Sequence, residues 1–357
     1  MSSSINSPVI QTLAELVRID SVNPEWGGPG EGAVADYVTG FFEQAGIGVI
    51  RHEVLPGRPN VVARLPGRDR RRSILLEAHM DTVGVGAMTI DPFEPRIAEG
   101  RLWGRGSCDI KAGLAAMMHT MAGLKAAGVV PPIDVILAAV VDEEHEFRGV
   151  TALIESFDSL PNAAVVAEPT RMEIARANKG VLRWRVIAHG RSAHSSKPEL
   201  GADSITAMAD VVRAIADDSA RLAKTTHPLL GSATCNIGRI EGGEQVNFVP
   251  ARCAISIDRR LLPGESIAGV LAAYSALLES VRERHPQIRF EAEAPTLADA
   301  AMETAADEAI VRAAGMVADE SGLSSQPVGV PFGCDCTKLS RAGIPSIIFG
   351  PGSIDQA

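Results

Sequence analysis

The 357-residue sequence predicts an α/β fold, a mainly parallel sheet flanked by helices, with a smaller α+β unit inserted in it. Three observations carry that expectation. Short apolar runs alternate with stretches of helical spacing at both ends of the chain. Several of these runs close on a His or a carboxylate. Between them lies a segment of different character, with apolar–polar alternation and the order β-α-β-β-α-β.

Ser7-Pro8 reads as an N-cap followed by Pro at the first helical position, and residues 9–18 have helical spacing. A second helix is expected over 32–44, stopping at Gly46. Strands follow near 49–54 and 60–65, then the run 73–78 that ends at His79. Residues 111–127, rich in Ala, Met and Leu, read as a long buried helix. A strand is expected at 134–141, a helix at 149–157 and a strand at 163–167. Such alternation implies parallel strands covered on both faces.

The pattern then changes. Residues 181–189 alternate as a half-buried strand does, and 202–215 form an amphipathic helix. Strands at 233–240 and 246–257 are joined through Glu241-Gly242-Gly243-Glu244. Pro263-Gly264-Glu265-Ser266 opens another helix, and 288–293 reads as a strand. After Pro295 the α/β character returns, with a helix near 304–320 and a strand at 346–349. The expected division is a catalytic domain from 1–176 and 295–357, interrupted by an insert at 177–294.

Hydrophobic residues make up 46% of the chain, enough for a large core. The net charge of −10 leaves no basic footprint, so no nucleic-acid partner is expected. The longest apolar run, 135–141, falls far short of the roughly 20 residues of a membrane span, so no membrane partner is expected either. Met1-Ser2-Ser3-Ser4-Ile5-Asn6 has neither the charged nor the apolar part of a signal peptide. Five cysteines form no CxxC pair, which points to a reducing, cytoplasmic compartment.

The chemistry gathers where the apolar runs end, because ligands in open α/β sheets bind beyond the carboxyl ends of strands. His79 and Asp81 lie two apart and can point the same way. His79 suits a metal ligand, with Asp81 setting its tautomer; the pair could equally be a solvated strand end. Asp109 follows a Gly-rich stretch and precedes a helix, where an Asp is either an N-cap or a ligand with both oxygens free to bridge two ions. Glu143 and Glu144 are adjacent and would raise each other's pKa without a cation. They are either part of a charged loop with Asp142 and Glu146, or a ligand and a proton acceptor. Glu168 closes a very apolar strand and needs a partner. One imidazole among many oxygens suits Zn²⁺, with Co²⁺ or Mn²⁺ as alternatives.

His79-Met80-Asp81-Thr82-Val83, Gly104-Arg105-Gly106-Ser107-Cys108-Asp109-Ile110-Lys111, Asp142-Glu143-Glu144 and Ala167-Glu168-Pro169-Thr170 resemble the ordered motifs of one family. It comprises acetylornithine deacetylase, succinyl-diaminopimelate desuccinylase, glutamate carboxypeptidase and the aminoacylases. The resemblance covers nearly the whole chain. It implies a zinc-peptidase-like catalytic domain, a ferredoxin-like insert serving as lid and dimerisation domain, and two Zn²⁺ per subunit.

The resemblance also implies roles. Asp109 would bridge the ions, His79 and Glu168 would complete one site, and Glu144 would serve the other. Glu143 would be the general base and then the acid, with Asp81 holding His79. In Gly190-Arg191-Ser192-Ala193-His194, His194 resembles the histidine that reaches the partner subunit's active site; taken alone it reads as a surface residue. Asn247, Gly333 and an Arg at 259 or 260 resemble substrate contacts. Ile255, Ile257 and Arg259 share one strand face, and Ser256, Asp258 and Arg260 the other. Arg260 is therefore favoured as the contact to a carboxylate.

The activity implied is hydrolysis of an N-acyl amino acid or dipeptide-like substrate by a homodimer, closest to the acetylornithine-deacetylase branch. Glu at 168 leans toward a deacylase or carboxypeptidase, so a metallo-carboxypeptidase or a desuccinylase is the alternative. Two departures stand out. The family's second-metal His would follow Ala357, so the sequence is expected to be a fragment lacking the end of its catalytic domain. A non-catalytic metal or amino-acid binding protein is the rival reading. Gly333-Cys334-Asp335-Cys336 stands where the relatives commonly carry a Gly-Thr/Ser-Asp run; its two thiols could bind metal, and buried structural thiols are the expectation.

Overall fold

A computed structural model of the protein describes residues 7–357. The stretch on which the lack of a leader was read, residues 1–6, lies outside the described residues. In chain order the first elements are α1 (Pro8–Arg18), α2 (Gly32–Gln44), β1 (Gly48–Leu55), β2 (Arg58–Leu65) and β3 (Asp69–His79). A small hairpin, β4 (Arg96–Ala98) and β5 (Arg101–Trp103), precedes α3 (Lys111–Ala126), β6 (Ile133–Val140), α4 (Arg148–Glu155), β7 (Ala163–Val166) and β8 (Ala175–Asn178). Next come β9 (Gly180–His189), α5 (Ser204–Leu222), β10 (Thr226–His227), β11 (Gly231–Ser232), β12 (Thr234–Gly242), β13 (Arg252–Leu261), α6 (Ile267–Arg282), β14 (Arg289–Ala292), β15 (Leu297–Asp299) and β16 (Met302–Glu303). The chain ends with α7 (Ala309–Glu320), β17 (Val328–Val330), α8 (Cys336–Arg341) and β18 (Ser346–Ile348).

Two compact units result. The first takes the chain up to Arg176 together with Thr304–Val328 and Cys334–Ala357; the second takes Ala177–Glu303 and Gly329–Gly333.

In the first unit the sheet runs β1-β2-β6-β3-β7-β18, followed by the start of β8. Only β6, β3, β7 and β18 are mutually parallel; β1, β2 and β8 pair antiparallel at the two sides. The central strands are apolar on both faces because both are covered. On one face Leu16, Val38, Phe42, Ala63, Leu114, Met118 and Leu137 form the main core. Farther along the same face, where Ile347 pairs with Val165 and Val165 with Leu76, Ile174 and Ile347 pack with Ile310, Val311 and Ala318 of α7. Pro8 occupies the first turn of α1, where its missing N–H is not needed. Thr12, Leu13, Leu16 and Val17 then fall on one stripe and are buried.

The second unit is an antiparallel sheet in the order β12-β13-β9-β14, with β15 also against β9. Trp184, Val186, Ile255 and Ile257 face Met208, Val211 and Ile215 of α5 and Tyr274 and Leu278 of α6. The Trp184 and Tyr274 rings meet edge-on at 5.0 Å. Alternation is as expected: Ile255, Ile257 and Arg259 all point into this layer and are buried.

Some boundaries differ from the expectation. The strand placed at 246–257 begins at Arg252, since Pro250 has no N–H to give a ladder. The segment before it instead bridges residues 193–195, through Val249 N–H to the Ala193 carbonyl and Ser195 N–H to the Asn247 carbonyl. The helix placed from 202 starts at Ser204, where Asp203 accepts the N–H groups of Ile205 and Thr206, and it runs on to Leu222. The helix placed from 304 starts at Ala309. Among the described residues no helix is long and apolar enough to cross a membrane.

Candidate metal centre

Parallel register brings the strand ends to one level. His79, the last residue of β3, lies opposite Val140 of β6, and Glu77 lies opposite Val166 of β7. Residues 141–144 and 167–168 therefore leave the sheet beside His79. Close packing of α3 helps set this edge: a methyl group on Gly113 would stand 2.7 Å from the Ala167 side chain. Asp109 arrives from the loop ahead of α3.

His79 Nε2 lies 3.1 Å from Asp109 Oδ1 and 3.9 Å from Glu168 Oε1. Ligand atoms of His79, Asp109 and Glu144 all lie within 4.8 Å of one another. His79 and Glu168 are buried, whereas Asp109 and Glu144 are half-buried. His79 Nδ1 lies 3.0 Å from the main-chain carbonyl oxygen of Asp81, and the Asp81 carboxylate is farther away, at 3.6 Å. Asp81 thus meets the imidazole through its backbone. Its carboxylate accepts the N–H groups of Glu143 and Glu144, each at 3.1 Å, and the Asn23 amide at 2.8 Å.

The electrostatics follow from crowding acids out of water. Burial pushes the Glu143 and Glu168 carboxyls well above the usual range; Glu168 adds to the rise of Glu143, and Asp109 to that of Glu168. Glu144 is pushed up to about 8, by burial and then by Asp109. Burial opposes the His79 imidazolium, but hydrogen bonds to Asp109 and Asp81 and the nearby acids outweigh it and raise its pKa. Four carboxyls around one imidazole lack positive charge, and a divalent cation supplies what is lacking. Imidazole and carboxylate are also the donor types such ions take. The residues present therefore fit a metal.

A second group, Asp142, His145 and Glu146, also has ligand atoms within 4.8 Å. It is occupied by arginine. The Asp142 carboxylate accepts from Arg148 at 2.5 Å, Arg58 at 3.0 Å and Asn23 at 3.1 Å, and His145 Nδ1 faces Arg148 at 3.4 Å.

The remaining sequence candidates lie in the second unit. His194 is exposed; its Nδ1 accepts the Ser196 main-chain N–H at 3.2 Å, which puts the proton of the neutral ring on Nε2. The bridge between segments 193–195 and 247–249 brings Asn247 beside it, and Phe248 stands edge-on to its ring. Arg260 is partly exposed and holds Asp258 at 2.8 Å, while Arg259 is buried against Glu265 at 2.6 Å. Gly333 lies close to Asp299, Lys179 and Asn178.

Sequence reasoning missed several groups. Asn23, Glu31 and Arg58 surround the Glu143–Glu144 loop. Glu77 is wholly buried, and burial and then Asp335 raise its pKa, while the carboxyl of Asp335 is itself pushed up to about 7 mainly by burial. A carboxyl inside the run Ile74-Leu75-Leu76-Glu77-Ala78 was the available signal for Glu77. Cys334 and Cys336 are both fully buried.

A family profile described as Peptidase family M20/M25/M40 matches residues 75–357. An acetylornithine deacetylase of Myxococcus xanthus is 31% identical over 97% of this chain and 90% of its own length. One from Vibrio campbellii is 29% identical over 98% and 90%. Among solved structures, a tripeptidase from Staphylococcus aureus matches with a TM-score of 0.80 at 23% identity, covering 96% of this chain and 89% of that one. A dinuclear metal binding peptidase of the M20 family from Bacillus subtilis matches with a TM-score of 0.69 at 17% identity, covering 95% and 86%. At those identities the structural matches speak to the fold.

Proposed function

The chain belongs to peptidase family M20/M25/M40 and is a hydrolase of amide bonds, and on that premise we propose that it removes the acyl group from an N-acyl amino acid, as an acetylornithine deacetylase does. The observation that carries the reading is the meeting of His79, Asp109, Glu144 and Glu168 at one strand edge.

In this reading Asp109 would be shared between two Zn²⁺ ions, His79 and Glu168 would complete one site and Glu144 would serve the other; Co²⁺ or Mn²⁺ could take the place of zinc. Ions held there would supply Lewis-acid chemistry, polarising the substrate carbonyl and letting water lose a proton near neutral pH. Glu143, buried and beside this set, takes that proton and delivers it to the departing amine. In the proposed homodimer, His194 of each subunit offers Nε2–H to the carbonyl oxygen in its partner's site as negative charge develops. Arg260 and Asn247 take the substrate carboxylate, and Gly333 offers main-chain contacts.

The insert at 177–294 acts as lid and dimerisation domain. Support for a homodimer comes from β12, an edge strand with Ile240 exposed, and from exposed Val246 and Phe248 nearby. The compartment proposed is the cytoplasm, where free thiols such as the five of this chain persist.

The test is Glu143→Ala in the zinc-loaded protein, with N-acetylornithine as substrate. Loss of a proton acceptor predicts a fall in kcat of about 10²–10⁴-fold with zinc retained. Turnover within a few-fold of the parent would end the assignment of the base.

A further inference from the structure

The loop bearing Glu143 and Glu144 is held in part from within, by Phe147 N–H to the Asp142 carbonyl at 2.7 Å and Arg148 on the Asp142 carboxylate at 2.5 Å, and in part from far along the chain. Asp142, which opens it, adopts a left-handed backbone at φ 65°, and so does Phe147 at φ 58°, which follows it. Phe rarely adopts that region, although Asp does so more readily, so contacts around the turn must hold it. The distant contacts come from three residues, all buried. Glu31, heading α2, accepts the Asp142 N–H at 2.9 Å. Arg58, the first residue of β2, holds Glu31 with two hydrogen bonds of 2.5 and 2.8 Å and reaches the Asp142 carboxylate at 3.0 Å. Asn23 divides its amide between Asp81 Oδ2 at 2.8 Å and Asp142 Oδ1 at 3.1 Å.

Asn23 therefore ties together two carboxylates with different tasks. Asp142 fixes where the loop starts. Asp81 fixes the N–H groups of Glu143 and Glu144. Asn23 is itself anchored, through its own N–H to the Thr82 carbonyl at 2.9 Å and through Oδ1 to the Glu25 N–H at 3.1 Å. Without its amide, two buried carboxylates would share a space with one donor fewer, and the cheapest relief is a shift of the loop between them.

We infer that Asn23, Arg58 and Glu31 are positioning residues for hydrolysis: a buried clamp that sets the placement of Glu143 and Glu144 while touching neither side chain. The inference rests on the proposed roles of those two glutamates. The clamp differs from ordinary core packing in what it controls, because it acts on one loop that carries both the base and a ligand.

The test compares Asn23→Ala and Arg58→Lys with the parent, all zinc-loaded, well below their melting temperatures. Arg58→Lys keeps the charge but loses the fork that holds Glu31 and Asp142 together. The expected result is a fall in kcat of about ten- to hundred-fold with KM within two-fold. Zinc affinity, read by competition with a chromogenic chelator, should weaken by a similar factor because Glu144 is displaced. A folded Asn23→Ala protein with parental kcat and parental zinc affinity overturns the inference. So does loss of cooperative melting in both variants, which would make the clamp structural only. Glu143→Gln, assayed alongside, separates the two readings: if it keeps parental activity the base assignment fails, and the clamp is then judged on zinc affinity alone.

Discussion

The carboxylate of Asp81 accepts the main-chain N–H of Glu144 at 3.1 Å. The other oxygen accepts the N–H of Glu143, and the hydrogen bond to His79 Nδ1 is left to the Asp81 carbonyl. One side chain thus ties the end of β3 to the loop after β6, while the imidazole is held by backbone that a side-chain substitution leaves in place.

Asp81→Asn tests that division. An amide can accept only one of the two N–H groups and turns a donor toward the other, leaving a buried group unsatisfied at a cost of ~1–3 kcal/mol. The expected outcome is a kcat lowered about ten- to hundred-fold, with His79 still bound to metal. Visible spectra of the Co²⁺-substituted protein check the imidazole. A variant with normal kcat would show that the Glu143–Glu144 loop does not need this anchor.

Gly149 sits where α4 begins, and its N–H bonds the Val141 carbonyl at 3.0 Å. A Cβ there would stand 2.1 Å from that oxygen. Gly149→Ala must push the start of α4 away and drag residues 142–147 with it. Overpacking of this kind costs ~1–3 kcal/mol, and activity should fall more than stability alone explains. Urea unfolding and kcat measured on one preparation decide; an unchanged denaturation midpoint is the contrary result.

In the second unit, Glu265 closes a turn by accepting from buried Arg259 at 2.6 Å and from the Leu262 N–H at 2.7 Å. Glu265→Ala leaves the guanidinium buried without its counter-charge. Breaking a buried pair costs ~3–5 kcal/mol; the partial exposure of Glu265 puts the expected loss at the low end. Thermal melting checks it, and a shift smaller than the error of the scan would mean that Arg259 is compensated elsewhere.

Asp210 gives a pH signature away from the metal centre. Hydrogen bonds from Arg213 and His285 lower its pKa from 3.8 to about 2. A carboxyl lowered on folding contributes stability above its unfolded pKa and loses it as pH falls through the folded one. Between pH 4 and 2 the parent should therefore lose stability faster than Asp210→Asn. Parallel curves from acid titrations followed by circular dichroism would reject the ion pair.

The sequence alone determined the fold class and the residues that meet at the strand edge. His79, Asp109, Glu144 and Glu168 were legible because each interrupts an apolar or Gly-rich run, and a strand that must be buried on both faces can end on a charge only at its rim. Tertiary structure decided how that rim is held. Asn23, Glu31 and Arg58 stand 84 to 119 residues from Asp142, and each looks, in its own stretch of chain, like a solvated polar residue. It also decided that Asp81 meets His79 through a carbonyl and that β13 begins only after Pro250. Local spacing records periodicity and chain ends; the partner of a buried polar group is set by which distant strands and helices come to lie beside it.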